Sequence, residues 1–341
     1  MDSERKGIPT PPPPPHQTPR PGSETAHSIL APSIPGSETA QPALRLRLKT
    51  VRCLYRFCME SGFFTPALTI MESTASATYG PEPLKDYMAD HFPGASFDTA
   101  NLISVDDRKR LRSELIGAGA MVLRMGQQAK GVTDFALVRP ENGISSYFID
   151  DSDLGVTAET TFLSRAAQRD LYVFELLHPY VESSMINLAF ASGLLSQALE
   201  LDSVGGLPPP ARGASTYTFD VRPHSTIDVL WQHRAGQVEI DALFIGERNK
   251  RDVLFIIEAK TASGPRSLAK HKLVYPALAL APLVPADVDI VPVYLKMATS
   301  VKGVLASVVE CSMPDPRLGT PAIDELKPVR VARLRLPINV G

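Results

Sequence analysis

Glu239-Ile240-Asp241-Ala242-Leu243-Phe244 and, after a short charged loop, Val253-Leu254-Phe255-Ile256-Ile257-Glu258-Ala259-Lys260 decide how this chain is read. The first stretch places an acid inside an apolar strand pattern; the second ends in an acid and a lysine. Charge on a buried strand is costly unless it is paired or holds a metal. Side chains alternate across a strand, so Glu239 and Asp241 are expected on one face. By the same rule Glu258 and Lys260 project together while Ala259 turns away. Pairing the two strands side by side would bring Asp241, Glu258 and Lys260 to a common pole. Two carboxylates brought close together repel, and a hard cation relieves that repulsion. An oxygen-only ligand set suits Mg²⁺ or Mn²⁺ rather than zinc.

Working outward, period and turn signals predict strands over 225–233 and 237–246, joined as a hairpin around Ala235-Gly236, with 253–260 as a third strand. A helix through Val181, Met185, Leu188, Ala189 and Ser192, ending near Leu199, precedes them. A helix over 267–280 and a strand over 290–297 follow. A further helix and a strand over 329–336 extend the domain.

The hairpin acid, the E-x-K triad Glu258-Ala259-Lys260 and this element order together resemble the PD-(D/E)XK, or restriction-endonuclease-like, nuclease superfamily, over roughly residues 180 to 300. The resemblance implies an α/β fold with an αβββαβ core and a mixed sheet. It implies a Mg²⁺-dependent (or Mn²⁺-dependent) DNA endonuclease. Asp241, Glu258 and the main-chain carbonyl of Ala259 are then the metal ligands. Lys260 orients or deprotonates the attacking water and offsets charge on phosphorus. Glu182 matches the acid that family members often carry on the first core helix, and a solvent-facing helix charge is an equal reading. Tyr275 matches a Gln-x-x-x-Tyr motif in which His271 replaces the Gln, and Lys270 and Lys272 are placed to reach phosphates. Ile240 stands where the motif has proline. Homodimerisation is a family implication, and RNA stays open beside DNA as substrate. Two rival readings remain: a nuclease fold kept for nucleic-acid binding or scaffolding without turnover, and an interaction protein whose acid–lysine group is a structural ion pair.

The rest of the chain sets the context. With 35 basic and 37 acidic residues the formal charge is -2, so DNA affinity must come from local patches. Residues 1–43 are rich in Pro, Ser, Thr and Gly and are expected to be disordered. Their run from Pro11 to Pro15 reads as a passive linker or as a ligand for an SH3 or WW domain. A mainly helical N-terminal domain is expected over 44–178 and the nuclease-like domain over 179–341. Helical spacing at 44–59 and 106–125, then short strands at 135–138 and 146–149, suit a winged-helix-like module. Cys53, Cys58 and Cys311 lack zinc spacing and read as reduced thiols. His178, His224, His233 and His271 are too scattered for a zinc site, although His233 lies near the pole. No phosphate-cradling loop or nucleophile elbow is present. No secretory signal or membrane span is expected, which points to an intracellular protein, cytoplasmic or nuclear.

Overall fold

The computed structural model describes residues 62–95, 102–129, 132–154, 157–166, 168–176, 180–204, 215–261 and 267–338, all within one unit, Lys49–Gly341. The tail at 1–43, the helix read at 44–59 with its Cys53 and Cys58, His178, and the Gly/Pro connector at 205–213 lie outside the described residues.

Among the described residues the chain runs α1 (Thr65–Ser73), β1 (Thr78–Pro83), α2 (Leu84–His91), α3 (Ser113–Ala118), β2 (Met121–Ala129), β3 (Val132–Val138), β4 (Phe148–Asp150), β5 (Thr160–Thr161) and α4 (Gln168–Glu175). It continues through α5 (Glu182–Ala191), α6 (Leu194–Ala198), β6 (Ser203–Val204), β7 (Thr216–Val221), β8 (Trp231–Gln237), β9 (Ala242–Arg248) and β10 (Arg251–Thr261). Last come β11 (Ser267–Ala269), α7 (His271–Leu280), β12 (Asp289–Ser300), β13 (Gly303–Ser312) and β14 (Lys327–Leu336). None of the described helices is long and apolar enough to cross a membrane.

The architecture is α/β with mixed sheets. A seven-stranded sheet has the order β5-β14-β13-β12-β10-β9-β6, and a five-stranded sheet the order β1-β3-β2-β8-β7. In the larger sheet β6, β9 and β10 are antiparallel in turn, whereas β12 runs parallel to β10. A parallel neighbour needs a crossover, and α7 supplies it.

Strand β10 explains why the site is where it is. Residues Val253 to Ala259 are all buried, so the strand is covered on both faces and reads as a continuous apolar run. Val253, Phe255, Ile257 and Ala259 share one core with Met185 and Leu188 of α5 and Leu195 of α6. Leu254 and Ile256 pack with Ala277 and Leu280 of α7 on the other face. By alternation Glu258 and Lys260 fall on the α7 side. Phe255, fully buried, stacks on Phe244 of β9 with ring centroids 5.0 Å apart. Asn249 and Lys250 close the β9–β10 hairpin at φ 54° and 60°, with Arg248 paired to Arg251. Two positive φ values at a two-residue loop form the turn that matches strand twist.

Several expectations are corrected. Ala235-Gly236 is no turn but part of β8, which pairs with β7 in the smaller sheet rather than with β9. Gly236 is there for close packing: a Cβ on it would lie 2.5 Å from the Gly126 Cα of β2. Residues 106–125 do not form one helix. Gly119, at φ 64°, ends α3, and β2 follows with Met121, Val122, Leu123 and Met125 fully buried. The N-terminal region is therefore mixed rather than mainly helical, and β1 to β3 form an antiparallel sheet in place of a small wing. The helix read at 181–199 breaks at Gly193, φ 77°. The start of the helix read at 267–280 is β11, paired with β4. The last segment adds β13 before β14, with only a single 3₁₀ turn, Ile323–Glu325, between them. Strands from both sides of residue 178 meet in each sheet: β2 borders β8, and β5 borders β14.

Candidate active site

At the C-terminal end of β10 the chain gathers Glu182, Asp241, Glu258 and Lys260. Lys260 Nζ lies 2.8 Å from Glu258 Oε1 and 3.6 Å from Glu182 Oε1. Asp241 sits one residue before β9 and accepts a 2.7 Å hydrogen bond at Oδ2 from the Ala259 backbone N–H. That bond ties the loop acid to the middle residue of the E-x-K triad. Glu182, the first residue of α5, reaches the group from the helix that packs on the opposite face of the strand.

Glu258 is 3 % exposed. Burial, and then the negative field of Asp241, push its carboxyl up to about 7, against the pull of Lys260 and Lys272. Burial by itself would depress the Lys260 ammonium, but Glu258, Glu182 and Asp241 outweigh it and hold the group above its ordinary range. The pole thus combines an over-burdened carboxylate with a firmly charged lysine.

Glu239 does not join the pole. Residues 238–241 precede β9 without strand pairing, so alternation does not govern them. The Glu239 side chain is 76 % exposed and its Oε2 accepts from Lys272 Nζ at 3.1 Å. Lys272, with Arg124 and Lys260 adding to it, holds that carboxyl below its usual range. Lys270 is no phosphate contact: it is buried, and Nζ donates to the Asp324 carbonyl at 3.1 Å. His233, His271 and Tyr275 form one ring cluster, with His233 and His271 each 5.4 Å from Tyr275 between centroids. Burial drives the His233 imidazole down to about 4 and that of His271 to about 3, so both are neutral at neutral pH. Cys311 is buried, which pushes its thiol up to about 12 and leaves it unreactive.

Two side chains escaped the sequence reading. Lys296 of β12 stands beside Lys260 in register and pairs with Asp151. Arg124 of β2 faces the same cleft as Glu239 and Lys272. Arg124 was hidden because its segment reads as helix, and Lys296 because strand register is not written in the local pattern.

Among the described residues no group of three or more His, Cys, Asp or Glu side chains is placed to hold a metal ion. The donors that are present are nonetheless of the right kind. Asp241 and Glu258 offer carboxylate oxygens close enough for one to raise the other, and a divalent cation relieves that conflict.

Over residues 156–317 the chain is similar to a family described as Domain of unknown function (DUF6997). No curated protein and no solved structure matches it.

Proposed function

We propose that the chain is a Mg²⁺-dependent DNA endonuclease with a restriction-endonuclease-like core, its acid/E-x-K site formed by Asp241, Glu258 and Lys260. The observation that carries this reading is the meeting of those three side chains at one end of the β9–β10 hairpin. The path α5–α6, β6, β9, β10, α7, β12 adds support, since it has the order and strand directions expected of an αβββαβ core once the β7–β8 hairpin and the short β11 are counted as insertions.

Asp241, Glu258 and the Ala259 carbonyl would hold the cation, with Glu182 beside them. When bound, it supplies charge neutralisation at the phosphate and a lowered pKa for water. In the reaction, water adds to phosphorus, the bond to the 3′ oxygen breaks, and the products are a 5′ phosphate and a 3′ hydroxyl. Lys260 Nζ carries a charge too firmly held to serve as a base at neutral pH. Its part is to orient the water and to offset negative charge growing on the phosphoryl oxygens. Asp241 also positions β10 through Ala259 N–H.

The closing of Lys260 onto Glu258 at 2.8 Å favours a second reading, a nuclease-like fold kept for nucleic-acid binding without turnover. Incubating supercoiled plasmid with the full chain and Mg²⁺ separates the two. Cleavage that disappears in Asp241→Ala and Lys260→Ala, with Mn²⁺ uptake lost in Glu258→Ala by calorimetry, supports the endonuclease. DNA binding without cleavage in either metal leaves the second reading.

A further inference from the structure

Beside the carboxylate pole lies a cleft of about 210 Å³ walled by Arg124, His233, Glu239, His271, Lys272 and Tyr275. It adjoins the pole electrostatically: Lys272 acts on Glu258, and Lys260 acts on Glu239. At this size it falls below the roughly 300 Å³ of a drug-sized pocket and suits one ring system rather than a base pair.

Its lining has two distinct chemistries. One wall is made of rings, and behind it Phe219 stacks on His233 with centroids 4.5 Å apart. Both imidazoles are neutral, so they offer hydrogen bonds without charge. His271 Nδ1 is buried and has no hydrogen-bond partner among the described residues. The rest of the charged lining carries both signs, and Arg110 is paired with Asp106 at 3.3 Å. Lys272 is already paired with Glu239, but half-buried Arg124 makes no ion pair or side-chain hydrogen bond among the described residues. A guanidinium whose hydrogen-bond donors are unused, beside neutral rings, is complementary to a nucleotide, a heterocycle carrying a phosphate.

We propose that this cleft receives a single unstacked nucleotide of the DNA substrate, with the base against His271 and Tyr275 and a phosphate on Arg124. The proposal rests on the endonuclease reading and narrows its substrate to DNA that is single-stranded or opened at the cut. A base paired and stacked in an intact duplex cannot enter, and extruding one carries an unpairing and unstacking cost that single-stranded DNA does not bear.

The test uses the full chain in chelator, so that binding is read without cleavage. The probes are a short DNA strand bearing one fluorescent adenine analogue and the blunt duplex of the same sequence. The strand is expected to bind at least about tenfold tighter than the duplex, and Arg124→Gln to weaken the strand roughly tenfold with Arg124→Lys restoring part of the loss. The Arg124→Gln unfolding midpoint, measured alongside, is expected to stay within error of wild type. Duplex bound as tightly as the strand, or a strand affinity indifferent to Arg124→Gln, overturns the proposal. Plasmid cleavage by wild type alongside that second result leaves the endonuclease standing without the cleft. Arg124-dependent strand binding with no cleavage in Mg²⁺ keeps the cleft and sinks the endonuclease.

Discussion

Glu258→Gln turns the proton balance of the pole into a stability measurement. Folded, Glu258 keeps its proton up to about pH 7; unfolded, it releases it near 4.5. Between those values the native state binds more protons than the unfolded chain, so this group lowers stability as pH rises. The gap between 4.5 and about 7 is worth about 3 kcal/mol, lost in full above pH 7. Glutamine is close in shape to the protonated acid and carries no charge at any pH. Urea unfolding of the full chain without divalent metal should therefore give similar stabilities for wild type and Glu258→Gln near pH 4.5. By pH 8 the variant should be the more stable by about 3 kcal/mol, a figure that already contains the pull of Lys260 on the ionised carboxylate. Added Mg²⁺ should stabilise wild type at pH 8 and leave the variant unmoved, because only the ionised carboxylate pair attracts the cation. Parallel pH profiles for the two proteins, or a wild type that gains on the variant as pH rises, would refute the reasoning.

Other perturbations follow from the same geometry. Asp241→Ala removes the acceptor of the Ala259 N–H and is expected to cost about 1–3 kcal/mol in chemical denaturation, while Asp241→Asn keeps an acceptor and loses less. Phe255→Ala, which empties a fully buried site against Phe244, should cost about 3–5 kcal/mol by the same assay. Lys250→Gly relieves a left-handed residue in the β9–β10 turn and should raise the unfolding free energy by about 0.5–1 kcal/mol; an unchanged or lower value would mean that the turn carries no strain.

How much of this was legible in the sequence depended on whether a segment carries its own period. The E-x-K strand was readable because Val253 to Ile257 is an unbroken apolar run with charges only at its end. The helix after it and the strand at 290–297 were readable for similar reasons, although β12 extends further at both ends. Strand β2 was not. Met121 to Met125 is buried on nearly every side chain, so it satisfies a helical stripe as well as a strand, and only the tertiary sheet decides between them. Ala235-Gly236 looked like a hairpin turn because glycine signals turns and close backbone approaches alike, and here the approach of Gly126 won. The true turn, Asn249-Lys250, lacks the glycine that marks such loops. Within the site, Asp241, Glu258 and Lys260 were legible from spacing. The diversion of Glu239 to Lys272 was not, because it depends on α7 lying across the loop.

The exchange of strands between the two halves of the chain constrains how the protein can be cut. The segment similar to the DUF6997 family starts at 156, shortly before β5, and stops at 317, ahead of β14. Yet β14 is hydrogen-bonded along most of β13 and is also the strand on which β5 lies. A fragment trimmed to those limits would expose a long unpaired edge, and it would strip α7 of the aromatic and aliphatic side chains from β2 and β3 that share its core. Expression of the shared segment alone should accordingly yield aggregates, and a shortened piece worth making must keep the buried Phe63 and Phe64 at one end and Ile338 at the other.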